Sequence, residues 1–203
     1  MTDPATPDAA PRKRPKPGER RIQILQALAS MLEQPGAERV TTSALAARLD
    51  VSEAALYRHF ASKAQMFEGL IEFIETSIFS LLNQIAERND ASAVKARHMV
   101  TVLLQFAQRN PGMARVMVGD ALVFENDRLE QRMNQFFERF ESSLRQVLRD
   151  QAQATSSPTP TVDANVQSSV LVSFVVGRLQ RFARSGYKRL PTEHLDASLA
   201  LLT

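Results

Sequence analysis

The chain has 203 residues, enough for one or two domains with a buried core. It contains no cysteine, which excludes a disulfide scaffold, a cysteine-ligated zinc site and a thiol nucleophile. Its formal net charge is only +3, yet Arg12, Lys13, Arg14, Lys16, Arg20 and Arg21 crowd into one short stretch.

Residues 1–18, rich in Pro, Ala and charge, read as a disordered head. They hold no apolar signal-like segment, and no run in the chain approaches the roughly 18 apolar residues that span a bilayer. A soluble cytosolic chain without membrane contact is the expectation. The basic cluster suits phosphate contact through counterion release, with a solubilising tail as the alternative. A helix is predicted from Arg20 to Gln34, with Leu25, Leu28, Ala29 and Leu32 on its apolar face, ended by Pro35-Gly36.

Residues 41–67, TTSALAARLDVSEAALYRHFASKAQMF, spell a helix-turn-helix. Thr42 is placed to cap a short helix, Ser43 to Leu49, whose Leu45, Ala46 and Leu49 share one face. Asp50-Val51 makes the turn. Ser52 caps a second helix that starts at Glu53, sends Leu56 inward and carries Tyr57, Arg58 and His59 near its end. Small Ala54 and Ala55 let this helix approach base edges in a major groove, which admits one α-helix. Ser62 then caps a third helix, with Gln65 completing a capping box. Tyr57 and His59 combine a flat ring with a polar tip and suit phosphates or base edges. Lys63 is placed for a backbone phosphate. Thr41, Thr42 and Ser52 offer hydroxyls or nearby amides. Phe60 is read as packing the turn.

A long helix follows, about Lys63 to Arg88, with Met66, Leu70, Phe73, Ile74, Ile78 and Leu81 at helical spacing. Its Glu68, Glu72 and Glu75 read as a solvated face, since no Glu-x-x-His element accompanies them. A helix at about Ser92–Arg109 ends at Asn110-Pro111-Gly112, where Asn caps and Pro takes the first turn of the next piece. Short helical pieces reach Phe124. Asn126 opens a helix to about Ala152, with Leu129, Met133, Phe136, Phe137, Phe140, Leu144 and Leu148 facing inward. Residues 153–163, QATSSPTPTVD, read as a flexible loop. The helix from about Ala164 to Ser185 is apolar around much of its circumference. Along it Ser169, Ser173 and Gly177 recur every four residues, flanked by Val166, Val170 and Phe174. Leu171 is read as part of the same apolar flank. That low ridge fits a two-fold dimer interface, with burial inside one subunit as the alternative. The fold class is all-α throughout.

The order TT…LA…VS…ALY.HF..K resembles the DNA-binding domain of the TetR family of regulators. Further along, VSEAALYRHF, GLIEFIE, QRNPG, ALVFENDRL, FERFE, LRQVLR and RLPT resemble, in order from about Arg20 to Leu202, that family's nucleoid occlusion factors. The resemblance implies a TetR-like fold with a DNA-binding domain over 19–78 and a helical dimerisation and partner-binding domain over 79–203. It implies a homodimer on palindromic double-stranded DNA, with room for two dimers per site, and a cytoplasmic, nucleoid-associated chain. The DNA-facing set is then Thr41, Thr42, Ser52, Glu53, Ala54, Ala55, Tyr57, Arg58, His59 and Lys63, joined by Arg12, Arg14, Arg20 and Arg21. Ala44 departs from the family's lysine, which leaves phosphate contact there to the Arg12–Lys16 cluster.

The resemblance further implies that a groove between the long linking helix and the next takes the C-terminal tail of the division GTPase FtsZ. Phe73, Arg109 and Asn110 match that pattern, with Arg109 suited to a carboxylate and Phe73 to an apolar side chain. Leu81, Val102 and Gln105 depart from it, replacing an arginine, a leucine and a glycine. From the residues alone, a core Phe73 and a surface Arg109 would be the simpler reading. The alternative function is a ligand-responsive repressor whose Phe106, Met113, Met117, Phe124 and Phe137 line a small-molecule pocket. No catalysis, metal or cofactor is expected. His59, His98 and His194 lie far apart, and there is no glycine-rich phosphate loop or nucleophile elbow.

Overall fold

A computed structural model describes residues 18–34 and 40–203, and every regular element among them is an α-helix. In chain order these are α1 (Glu19–Leu32), α2 (Thr42–Arg48), α3 (Glu53–Tyr57), α4 (Lys63–Glu87), α5 (Ser92–Arg109), α6 (Pro111–Met117), α7 (Asp127–Ala154), α8 (Pro160–Arg184) and α9 (Leu195–Leu202). Pro35-Gly36 and the head bearing Arg12 and Arg14 lie outside the described residues.

Local chemistry explains the first boundaries. Thr41, not Thr42, caps α2: its side chain accepts the N–H of Ala44 at 3.2 Å, and its extended backbone turns the chain into the helix. Ser52 caps α3 by accepting from Ala55 N–H at 3.3 Å, and between the two helices Asp50 takes a left-handed φ of 53°. Ser62 caps α4 as expected, but Gln65 reaches the N–H of Ala61 instead of that of Ser62, so the box closes one residue further out. Asn110 does not cap α6. Its amide donates 2.8 Å back to the carbonyl of Phe106, leaving Pro111 at the first turn to start the helix.

Apolar periodicity then selects the core. α1 buries Ile24, Leu28, Ala29 and Leu32, with Leu25 only partly covered. Leu45, Ala46, Leu56 and Phe60 close the small domain against α1 and the start of α4. α4 buries a broad face, Met66, Phe67, Leu70, Ile71, Ile74, Ile78, Phe79, Leu82 and Ile85, because it packs on α1 at one end and on α5 and α7 beyond. Phe73 and Leu81, expected on that face, are exposed instead. α7 and α8 pack along each other, joined by a turn at residues 155–159, so the predicted loop over 153–163 is shorter and α8 begins at Pro160. α7 buries Leu129, Met133, Phe136, Phe140, Leu144, Val147 and Leu148, while Phe137 is half-buried. α9, absent from the sequence reading, lays Leu195 and Leu199 on the core.

Candidate nucleic-acid interface and neighbouring surfaces

The two short helices of the motif are linked at their N-terminal ends. Thr42 Oγ1 donates to Glu53 Oε2 at 2.6 Å, tying the start of α2 to the start of α3, while Thr41 and Ser43 hydroxyls meet at 3.0 Å. This gathers two helix starts, each with positive partial charge, on one side of the molecule. Along α3 and its cap, Glu53, Ala54, Tyr57, Arg58 and His59 are exposed and Ala55 is partly so, while Leu56 and Phe60 are buried behind them. One helix therefore presents short side chains at its start and ring and guanidinium groups at its end. That arrangement is compatible with phosphates and a groove floor.

Two predicted DNA cations hold protein groups as well. Arg21 donates to the carbonyl of His59 and lies 4.1 Å over the Phe60 ring, so the first turn of α1 grips the end of α3. Lys63 is mostly covered: its ammonium pairs with Glu125, whose side chain is still more buried, and stands over the Phe67 ring. Lys63 thus faces a carboxylate of the turn before α7, which the sequence spacing gave no means of seeing. Arg20 is partly exposed beside this domain. Arg48, not singled out from sequence, donates to Ser30 Oγ at 2.9 Å and braces α2 on α1.

Several of the residues expected to line a groove between α4 and α5 reach the surface. Phe73 is 49% exposed, and its ring lies 6.2 Å from that of Phe106. Leu81 stands exposed two turns further along α4. On α5, Val102 and Phe106 are partly covered, and Gln105 and Arg109 face outward. Asn110 closes the end with its amide nitrogen bonded to Phe106, so what remains for a partner is mainly its side-chain oxygen. Phe106, which sequence reasoning placed with a ligand pocket, belongs beside Phe73. Its position one turn after Val102 was the available signal.

Glu68 and Glu75, expected on a solvated face, are ion-pair partners of α7. Arg128 meets Glu68 at 2.9 Å, and Arg132 meets Glu75 at 2.6 Å. The hydrogen bond to Glu75 raises the pKa of Arg132 above its ordinary value, against the opposing effect of burial. No group of three or more acidic, histidine or cysteine side chains suited to a metal occurs among the described residues.

On α8, Val166 is 60% exposed, Val170, Ser169 and Ser173 are exposed, and Phe174 and Gly177 are half-buried. Val162 and Leu201 of α9 extend this apolar stripe. A Cβ added at Gly177 would meet nothing within 4 Å. The alternative reading of this ridge, burial within one subunit, is therefore not what the chain does. Beside it, α7, α8 and the turn at 117–123 border an open groove of about 1150 Å³, lined among others by Met117, Phe137, Val176, Arg184 and Tyr187. The five residues considered for a ligand pocket do not converge there: Met117 and Phe137 line the groove, Phe106 is in the α4–α5 groove, and Phe124 is 65% exposed.

Comparison with known proteins agrees with this layout. Residues 24–70 match the family described as bacterial regulatory proteins, tetR family, and residues 90–203 match the SlmA-like family described as tetracyclin repressor-like, C-terminal domain. The nucleoid occlusion factor SlmA of Vibrio cholerae is 52% identical over 185 residues, covering 91% of this chain and 94% of that protein. The protein of the same name from Idiomarina loihiensis is 50% identical, covering 88% and 90%. Among solved structures, the fatty acid degradation regulator FadR of Bacillus halodurans superposes with a TM-score of 0.75 at 16% identity, over 93% of this chain and 96% of that one. The TetR family regulator PfmR of Thermus thermophilus does so at 0.72 and 20%, over 89% and 96%; at such identities the likeness is one of fold. Those relatives are regulators and not enzymes. With helix-turn-helix, linking helix and C-terminal helices all in place, the chain belongs to the TetR family of bacterial regulators and, within it, to the family of the nucleoid occlusion factor SlmA.

Proposed function

We propose that this protein is a nucleoid occlusion factor: a homodimer that binds palindromic duplex DNA and, once bound, antagonises FtsZ assembly over the chromosome. Its place is the cytoplasm, on the nucleoid. Residues 19–78 form the DNA-binding unit and residues 79–203 the dimerisation and partner-binding unit. Thr41, Thr42, Ser52, Ala54, Ala55, Tyr57, Arg58 and His59 face the duplex, with Arg12, Arg14 and Arg20 supplying further phosphate contacts. Two such surfaces related by the α8 stripe can read half-sites about one helical turn apart.

The observation that carries the FtsZ part is Phe73. A phenylalanine amid the buried stripe of α4 would normally be core, yet half its surface faces solvent beside Phe106, with Arg109 at the groove's end. An apolar anchor next to a cation suits an extended tail carrying aliphatic and acidic residues. DNA activates such a factor only if the FtsZ-competent state binds DNA better than the incompetent one.

The test is sedimentation of FtsZ polymer with GTP, adding the protein with and without a duplex that it binds. Polymer should fall substantially only when DNA is present, and Phe73→Ala should abolish the effect while leaving DNA affinity intact. Unchanged polymer in both cases would remove FtsZ as partner. A second reading, a ligand-responsive repressor, has the open groove by α7 and α8 in its favour. Occupancy confined to the protein's own promoter and released by ligand would support it.

A further inference from the structure

The DNA-binding unit is fastened to the C-terminal half at two places, by Arg115, Tyr187 and Glu125, which lie outside the predicted DNA-facing set, and by Lys63, which belongs to it. At the last turn of α1, the Leu32 carbonyl is one of the acceptors a helix end leaves without an intrahelical partner. Two donors from different elements converge on it: Arg115 Nη1 of α6 at 3.2 Å and the Tyr187 hydroxyl, just after α8, at 3.1 Å. Beneath them α6 crosses α1 so closely that a Cβ on Gly112 would lie 2.2 Å from the Ala29 carbonyl oxygen. At the other end, Lys63 opens α4, where the helix dipole disfavours a cation, and Glu125 supplies the compensating carboxylate.

These fastenings act on the recognition helix through α1. Leu32 is near one end of that helix, and Arg21, near the other, grips the carbonyl of His59 at the end of α3. The two are eleven residue steps apart along the α-helix, a stiff rod of about 16 Å. Whatever holds the Leu32 end therefore sets where α3 is presented, and Lys63 fixes the following helix from the other side. Tyr187 and Arg115 also line the open groove by α7 and α8.

We propose that Tyr187, Arg115 and Glu125 are positioning residues for DNA recognition: they clamp α1 and α4 so that each recognition helix keeps a fixed place relative to the dimer body, and thereby select the spacing of the two half-sites. This rests on the reading of the chain as a dimeric DNA-binding protein. Releasing the clamp leaves every side chain of the recognition helix in place but lets that helix wander; it also frees Lys63 for a backbone phosphate, a sequence-independent gain that acts on both spacings alike. The loss then appears in spacing discrimination before it appears in base preference.

The test uses the full chain and the palindrome that wild type selects from random duplexes, together with versions in which two base pairs are inserted between the half-sites. Insertion moves one half-site by about 7 Å and turns it by about 70°. Wild type should bind the inserted site at least about tenfold more weakly, and the double variant Tyr187→Phe with Glu125→Gln should shrink that ratio to about threefold or less. Base preference within a half-site, dimer content by sedimentation velocity and helical content by circular dichroism should stay unchanged. A double variant with the full wild-type ratio would overturn the clamp while leaving the DNA-binding reading intact. Loss of the ratio together with loss of dimer would also overturn it, by placing these residues in the interface. Absence of any sequence-selective binding by wild type would overturn both.

Discussion

At the residue scale, exposure separates groups that can meet a ligand from those that hold the frame. Arg58 is exposed at the end of α3. Arg58→Ala should weaken binding to all duplexes alike and reduce the slope of log affinity against log salt by about 0.9, measured by fluorescence anisotropy across a salt series. Tyr57 is different, because a ring at the end of α3 suits a base edge. Tyr57→Ala should cost about 1–3 kcal/mol on the preferred site and relax selection at one position. Tyr187 has a signature of its own. Burial raises its pKa, with Arg115 opposing, so the folded chain favours the neutral hydroxyl. The stability this contributes is complete below the unfolded value of about 10 and is lost as pH rises through the higher folded pKa, since unfolded chains shed that proton first. Urea unfolding of wild type should therefore sag on the alkaline side, and Tyr187→Phe should lack that part of the slope.

At the element scale, short helices depend on their neighbours. α2 and α3 have 7 and 5 residues, too few to persist alone, and stand because Leu45, Ala46 and Leu56 are buried against α1 and α4. Leu56→Ala removes a fully buried side chain from this small core and should cost about 2–5 kcal/mol in chemical denaturation. The α1–α6 crossing is equally exacting. Gly112→Ala drives a methyl into the Ala29 carbonyl, which is backbone and cannot swing aside. A loss of about 1–3 kcal/mol is expected by the same measurement, with DNA affinity falling alongside because α1 carries Arg21.

At the scale of the whole molecule, the proposed function assigns separate work to separate exposed surfaces. The helix-turn-helix occupies one part of the chain, the α4–α5 groove another, and the stripe of Val166, Val170, Ser173 and Gly177 a third. Val170→Asp introduces a charge into the stripe without disturbing the Leu171 and Val175 side of α8, which faces the core. It should yield a folded monomer by sedimentation velocity and reduce binding to the palindrome toward that of a single half-site. A fully dimeric variant would send the interface elsewhere on the molecule.

Periodicity and capping chemistry made the helices legible from sequence. Ser52, Ser62 and Asn126 announced their helices because a cap is a local event, and the helix expected at about Ser92–Arg109 is found there. The short loop at 155–159 and α9 escaped because Pro160 sits where a helix can begin, and LDASLALL is too short for a periodic signal. The candidate DNA-facing residues came from the motif itself, whose spacing is set within one stretch of chain. Phe73, Lys63 and the Glu68–Glu75 face did not follow that rule. Whether an apolar residue on a broad helix face is buried, or a lysine is free, depends on elements up to 62 residues away, as Lys63 and Glu125 show. Sequence alone determined most of the helical segments and the helix-turn-helix among them, because hydrogen bonding and apolar spacing within a helix are local. Only the tertiary structure decided which cations are committed to protein partners and how the recognition helix is held, because those contacts join residues that nothing but the packing of distant helices brings together.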